Sequence, residues 1–239
     1  PLHAFWCCTG SGIESFAKLA DSIYFHDEQG VFVNLFIASE VEWPEKGIRI
    51  IQETRFPEEE ATTLVIRCDQ PVQMPLRIRA PYWTAHAGTA KLNGRPLEAF
   101  AEPGGYFAVN RTWRDGDKLE ISLPMSLHVH PMPDDDSLQA IMYGPLVLAG
   151  RLGTEGLTKD VLRAEPTKPR NILRYTAKPI PAPEFKTRSR DPNSWIRRTS
   201  GRSLEFHTIG QARDIELAPL YRILDERYGV YWKVTREGV

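Results

Sequence analysis

Short segments in which apolar and polar residues alternate recur along most of this chain, and they restrict its fold more than any other feature. In TTLVIRCDQ (62–70), Leu64, Ile66 and Cys68 fall on one face of an extended strand. Turn signals separate such segments, as at Asn93-Gly94, because a type I′ turn needs positive φ at both of its central positions. Regularly spaced short strands of this kind predict a mostly β fold with two β-sandwich domains.

One segment near the start has a helical period instead. Its apolar residues follow the spacing of one buried helix face: Ile13, Phe16, Ala17, Ala20 and Ile23. Ser11 followed by Glu14 matches a capping box, in which the two side chains bond to free backbone N–H groups at a helix start. These patterns predict one helix from about residue 12 to about residue 24, ahead of the first sandwich.

The strand pattern is interrupted at HVHPMPDDD (128–136), where two prolines and three acids occur together. It resumes at LQAIMYGPLVLAG (138–150), which is typical of an apolar strand with a Gly-Pro kink. We therefore expect the chain to consist of one short segment followed by two domains of ordinary size. They are a helical segment at 1–26, a first sandwich at 27–130 and a second sandwich at 131–239.

The end of the chain is also predicted to be a strand. The segment YGVYWKV (228–234) is rich in β-branched and aromatic residues. We expect it to pack Tyr231 or Trp232 into the core of the second sandwich.

The composition narrows the classes of partner. A formal net charge of -1 argues against nucleic acid as the main partner. No apolar segment is long enough to cross a bilayer, and 3 cysteines, two of them adjacent, do not form a disulfide framework. The chain starts at Pro1, shortly before that cysteine pair, so we expect a fragment of a longer protein. Its cellular compartment is left open.

Cys7 and Cys8 stand side by side in FWCCTGSGIES (5–15), just ahead of the predicted helix. A disulfide between neighbours closes a strained ring, so the pair indicates a metal site, a reactive thiolate, or both. The positive end of a helix dipole favours the thiolate, which is the better nucleophile and metal ligand. Zinc normally needs four ligands, and Cys68 is expected to be a core residue. Burial as small apolar side chains is the alternative for the pair.

The surroundings of the pair resemble a known enzyme family. The segment from Phe5 to Trp43 is similar to the one that leaves the catalytic barrel in the zinc- and cysteine-dependent β-L-arabinofuranosidases, glycoside hydrolase families 127 and 146. The double cysteine followed by Gly-Ser-Gly-x-Glu is the most specific part, and it resembles the second of these families more closely. The likeness continues through IQETRFPEEE, LRIRAPYW, DGDKLEISLPM, MYGPLVLAG and LAPLYRILDERYGVYWKV.

In that family an (α/α)6-barrel catalytic domain precedes the β-sandwich domains, so the resemblance implies that 1–26 is the C-terminal end of the barrel. It further implies that Cys7 is the catalytic nucleophile and a zinc ligand, and that Cys8 is a zinc ligand only. A Glu-x-Cys pair from the barrel completes the zinc shell in the family, and a barrel glutamate is the acid/base. The implied substrate is an arabinofuranose-containing glycan from plant polysaccharide or glycoprotein.

This chain departs from the family pattern ahead of the cysteine pair. No Glu-x-Cys precedes Cys7, and no residue matches the family's acid/base. We therefore expect the 239-residue chain by itself to bind zinc weakly or not at all and to be inactive. The missing barrel is expected as its covalent or packing partner.

Three other polar features have a plainer interpretation. His128 and His130 would lie on one side of a strand, but no third metal ligand is evident, so a structural role is favoured. The acids at 134–136 lack the spaced ligands of a calcium loop and are expected to form a solvated turn. The basic stretch at 164–202 lacks ordered aromatic residues. We expect a loop there rather than a site for an acidic polysaccharide or nucleic acid.

Aromatic residues motivate the main alternative function, an accessory β-sandwich module with a structural or carbohydrate-binding role. Rings on a sandwich surface can form a platform on which sugars stack, and the candidates are Tyr82, Trp83, Tyr106, Phe107 and Trp113. The area that each ring buries favours core positions for them instead.

Overall fold

The computed structural model describes residues 7–98, 100–158, 178–201 and 203–236. Within these ranges the chain is mostly β-strand with a single α-helix, which confirms the predicted fold class. The chain divides into two compact units, one at Cys7–Met125 and one from Ser126 onward. The predicted domain limits 1–26, 27–130 and 131–239 stay a prediction.

The first unit contains the helix α1 at Cys7–Leu19, and a 3₁₀ turn follows it at Ala20–Ser22. A second 3₁₀ turn spans Pro44–Lys46. The strands are β1 Tyr24–His26, β2 Val31–Val33, β3 Ser39–Trp43, β4 Ile48–Thr54, β5 Ala61–Cys68, β6 Val72–Arg79, β7 Thr89–Leu92, β8 Arg95–Pro96, β9 Tyr106–Trp113 and β10 Lys118–Ser122.

These strands form two sheets, ordered β1-β2-β6-β9 and β3-β4-β5-β10-β7-β8. The predicted alternation is confirmed, because Leu64 and Ile66 of β5 and Leu76 and Ile78 of β6 are fully buried. Trp113 at the end of β9 is also fully buried, and its indole N–H donates to the Met74 carbonyl at 2.9 Å. Apolar side chains from both sheets therefore share the core of a β-sandwich.

The two-residue turn between β7 and β8 has the predicted chemistry. Asn93 and Gly94 have φ values of 52° and 78°, as a type I′ turn requires. The Asn93 side-chain amide donates to Asp117 at 2.8 Å, and its oxygen accepts from the Lys118 backbone N–H at 2.8 Å. The hairpin is thus tied to the start of β10.

The second unit consists of β11 Leu127–Pro131, β12 Leu138–Tyr143, β13 Leu146–Arg151, β14 Phe185–Thr187, β15 Ile196–Arg198, β16 Phe206–Thr208, β17 Glu216–Pro219, β18 Tyr228–Gly229 and β19 Tyr231–Arg236. Two 3₁₀ turns lie at Pro192–Ser194 and Leu220–Arg222. The main path of the sheet is β14-β19-β12-β13-β17-β16-β15, with β11 beside β12 and β18 beside β13.

Ring contacts bring the two ends of this sheet together. Phe185 in β14 lies 5.5 Å from Trp195, which directly precedes β15, and 4.9 Å from Trp232 in β19. Trp232 is fully buried while Tyr231 is half exposed, which confirms that one of this pair packs into the core. A Cβ on Gly150 would lie 2.4 Å from the Trp232 ring, so the close approach of β13 requires glycine there.

Two sequence predictions in this unit are corrected. The segment 138–150 is a hairpin rather than one kinked strand: Tyr143 pairs with Leu146 across a Gly144-Pro145 turn, where Gly144 has a φ of 53°. The predicted interruption at 128–136 begins too early, because β11 continues to Pro131 and pairs with β12. Proline ends that strand since it lacks the N–H that a ladder needs.

Candidate active site

The helix that carries the adjacent cysteines extends further toward the N-terminus than predicted. Cys7 and Cys8 lie in the first described turn of α1, whereas the predicted start was about residue 12. Ser11 lies inside the helix and does not cap it, since its carbonyl accepts from the Ser15 hydroxyl at 2.8 Å. Glu14 pairs with Lys18 at 2.8 Å instead of completing a capping box. The capping-box prediction is therefore wrong.

The helix also ends earlier than predicted and has an uncovered apolar face. Ile13, Phe16 and Leu19 share one side of α1, and they are 63%, 78% and 45% exposed. Beyond Leu19 the backbone tightens into a 3₁₀ turn. The first sandwich therefore does not bury the face of α1 that the sequence pattern predicted to be buried.

The residues after the helix hold it to the first sandwich. Ile23 is buried, and its carbonyl accepts from the backbone N–H groups of Asn34 at 2.8 Å and Leu35 at 3.3 Å. The Asn34 side-chain amide donates to the Ser22 carbonyl at 3.1 Å. The exit of α1 is thus fixed by hydrogen bonds.

A cavity of about 450 Å³ lies beside β1 and β3, and no sequence motif predicted it. The His26 and Trp43 rings are 4.8 Å apart at its rim, while Val31 and Ile50 form part of its floor. Burial raises the pKa of Tyr24 at this cavity, and the Tyr24 hydroxyl lies 3.0 Å from that of Ser39. One pair of rings above apolar side chains does not indicate any particular reaction at this cavity.

The described residues contain no group of three or more histidine, cysteine, aspartate or glutamate side chains that could hold a metal ion. Cys68 is half-buried at the end of β5 rather than in the core, which corrects the prediction for it. Burial raises the pKa of the Cys68 thiol, and the neighbouring carboxylates of Asp115 and Asp117 raise it further. Cys68 is therefore a poor source of thiolate.

The polar features outside the helix take structural positions. His128 lies in β11 with its Nδ1 3.2 Å from the Ser126 carbonyl oxygen, and His130 is exposed in the same strand. Asp135 accepts hydrogen bonds from the Ser137 backbone N–H at 2.9 Å and from the Ser137 hydroxyl. The acids at 134–136 thus form a turn. The basic stretch at 164–202 lies partly outside the described residues, and its later part contains β14 and β15, so the prediction of a loop is wrong for that part.

Most of the aromatic candidates do not form a platform. Trp113 is fully buried and Trp83 is 9% exposed, where it stacks on Phe56 at 5.7 Å. Tyr106 is half exposed, but its ring contacts Phe32 edge-on at 5.4 Å. Tyr82 is exposed. The preference for core positions is correct for the two tryptophans.

No helix among the described residues is long and apolar enough to span a membrane.

The fold is shared with solved structures of glycoside hydrolases. A "glycoside hydrolase" has 18% identity and a TM-score of 0.67, with 98% of this chain and 40% of that chain covered. A GH127 β-L-arabinofuranosidase from Geobacillus stearothermophilus T6 has 16% identity and a TM-score of 0.67, with 97% and 37% covered. A GH127 β-arabinofuranosidase has 17% identity and a TM-score of 0.66, with 97% and 40% covered. This chain thus spans about two fifths of each.

Family models define the two units more closely. Residues 30–125 match the middle domain of the GH127 β-L-arabinofuranosidases, and residues 128–234 match a domain of unknown function, DUF4986. Residues 30–125 are thus similar to the middle domain of family 127, which confirms the resemblance to the β-L-arabinofuranosidases drawn from the sequence; the closer likeness to the second of the two families stays a prediction. None of the curated proteins is significantly similar to the chain.

Proposed function

We propose that the chain is the C-terminal part of a retaining glycoside hydrolase that acts on β-L-arabinofuranosides, with Cys7 as its nucleophile. The observation that carries this proposal is the order of two features. A GH127 middle domain at 30–125 directly follows a helix whose first described turn contains Cys7 and Cys8. The thiolate is the reactive form of cysteine and also the form that binds a metal ion.

The proposed reaction proceeds through two displacements at the anomeric carbon. The Cys7 sulfur forms a bond to this carbon while the bond to the leaving oxygen breaks, and a general acid supplies the proton that the leaving oxygen takes. Water then displaces the sulfur, giving up a proton to the same group, now acting as a base. The sugar is released with retained configuration and the thiolate is restored. The acid/base group is proposed to lie outside this chain.

The described residues of this chain do not by themselves fit a complete zinc site. Structural and catalytic zinc ions take three or four protein ligands, and no cluster of three candidate ligands occurs in the described part of the chain. We propose that Cys7 and Cys8 supply two ligands in the longer protein and that its catalytic barrel supplies the others. No step of the reaction above depends on the ion.

The exposed apolar face of α1 supports the proposal that another domain packs against this helix. Ile13, Phe16 and Leu19 expose apolar surface that water disfavours. The relatives of known structure are more than twice as long as this chain, so they have additional residues with which to cover such a face. We propose that the catalytic barrel packs on this side of α1.

The experiment compares the 239-residue chain with the longer protein that contains it. We expect the longer protein to hydrolyse an aryl β-L-arabinofuranoside and to contain zinc by mass spectrometry. The chain alone is expected to do neither. Tight stoichiometric zinc in the chain alone would contradict the assignment of ligands to the barrel. A longer protein without hydrolase activity would favour the alternative of an accessory structural or carbohydrate-binding module.

A further inference from the structure

The second unit contains a cavity of about 580 Å³ that the proposed hydrolysis does not use. This volume is in the range of pockets that hold small ligands. Apolar surface from residues such as Trp195 and Val234 makes up most of the lining, and polar groups provide the remainder. The polar lining residues that matter here are Asp136, Thr187, Ser189, Arg190 and Arg236.

Strand register brings the cationic part of this cavity together. The strands β14 and β19 are parallel, and Thr187 is the register partner of Arg236. Arg190 follows Thr187 by three positions, in the segment that leaves β14 at the end of the sheet. Two guanidinium groups and a threonine hydroxyl therefore line one cavity at a sheet edge.

Neither guanidinium is neutralised by a residue that the structure describes. Other arginines of this unit have partners: Arg151 forms an ion pair with Glu226, and Arg197 donates a hydrogen bond to the Asn193 carbonyl. Arg190 and Arg236 make no ion pair or hydrogen bond with any residue that the structure describes. No described residue pairs with either charge, so both can bind an anion as far as the described part of the chain is concerned, and Asp136 is the one carboxylate among the lining residues.

The neutral polar groups of the cavity can also bind a ligand. Thr187 is only 5% exposed, and its hydroxyl has no hydrogen-bond partner among the described side chains and carbonyls. The Ser189 oxygen accepts from the Asp191 backbone N–H at 3.1 Å, which leaves the Ser189 O–H free to donate. Hydroxyl groups that line a cavity can both donate to and accept from a polar ligand.

We propose that this cavity binds a uronic acid residue of an acidic polysaccharide. The planar guanidinium groups of Arg190 and Arg236 match the geometry of a sugar carboxylate, and the hydroxyls of Thr187 and Ser189 bond to the sugar's own hydroxyls. Asp136 accepts from further sugar hydroxyls. The choice of a glycan as ligand rests on the proposed function, and the site adds a substrate class to it: arabinofuranosides carried on uronate-containing chains.

The test measures binding of oligogalacturonate to the 239-residue chain by calorimetry, without any hydrolysis. We expect the double variant Arg190→Gln, Arg236→Gln to weaken binding about tenfold or more, because two charge-assisted contacts are lost. Thr187→Val is expected to weaken it by a smaller factor. Arg213→Gln is the matched control, since Arg213 is an exposed arginine of the same unit outside the cavity, and we expect a change below about twofold.

Several outcomes would overturn the proposal. They are absence of binding, an equal loss in the Arg213→Gln control, and equal binding of a neutral arabino-oligosaccharide. Displacement of the sugar by an equal concentration of inorganic phosphate would show an anion site without sugar selectivity and would overturn it too. Because no arabinoside is cleaved in this assay, its result is independent of whether Cys7 is a nucleophile.

Discussion

Asp117 joins the two hairpins that flank β10 in the first unit. Its carboxylate accepts from the Asn93 amide at 2.8 Å and from the Arg114 backbone N–H at 2.9 Å, and Arg111 approaches within 3.3 Å. Burial opposes the charged form, but these partners outweigh it and hold the pKa of Asp117 below its usual value. The turn signal at Asn93-Gly94 was evident in the sequence. The contact with Asp117 was not, because it joins positions that only the sheet brings together.

We expect Asp117→Asn to destabilise the first unit by about 1–2 kcal/mol at pH 7, since an amide cannot accept from all of these donors. A carboxylate with a depressed pKa in the folded state contributes stability above its unfolded pKa and loses it as the pH falls through the folded value. The difference between wild type and variant should therefore shrink below about pH 4. Urea titrations at pH 7 and pH 3 measure this.

The control for that comparison is Glu120→Gln, an exposed carboxylate on β10, with an expected effect within about 0.5 kcal/mol at both pH values. A wild-type advantage over Asp117→Asn that persists unchanged at pH 3 would contradict the role given to the charge.

At the scale of elements, sequence periodicity predicted strands better than it predicted the helix. The alternation in β5 and β6 identified the buried residues because a sandwich core lies on one side of each sheet. In α1 the same reasoning expected a buried face, yet Phe16 is 78% exposed. An amphipathic pattern predicts that one face of a helix is buried. It does not identify the molecule or domain that covers this face. The capping signal at Ser11 failed because the helix starts earlier.

Phe16 therefore offers a test at this scale. In the 239-residue chain, Phe16→Ala is expected to change the free energy of unfolding by less than about 0.5 kcal/mol, because the ring contributes little buried area. In the longer protein, where the barrel is proposed to cover the ring, we expect a loss of about 2–4 kcal/mol. Chemical denaturation of both proteins measures the difference.

Ile66→Ala is the matched control, since Ile66 is fully buried in β5 and its truncation should cost about 2–5 kcal/mol in either protein. A large loss from Phe16→Ala in the chain alone would mean that α1 packs on the sandwich, against the proposal for the barrel.

At the scale of the whole molecule, the strand pattern predicted the fold class, and the family resemblance predicted the likeness of residues 30–125 to the GH127 middle domain. Strand pairing across long loops, such as the parallel pairing of β14 with β19, had no local signal, because it depends on residues about 50 positions apart. The cavity with Arg190 and Arg236 depends on that pairing and was missed for this reason. The role proposed for Cys7 and Cys8 rests on the resemblance, since two cysteines alone fit several kinds of site.

The most direct test of the central claim is the rate of hydrolysis of an aryl β-L-arabinofuranoside by the longer protein carrying Cys7→Ser. A serine hydroxyl is not ionised at neutral pH, so we expect turnover to fall by at least about a thousandfold. Cys8→Ser is expected to reduce zinc content first and activity as a consequence. Cys68→Ser, at the half-buried end of β5, should leave turnover within about twofold. Normal turnover in the Cys7→Ser protein would contradict the assignment of Cys7 as the nucleophile.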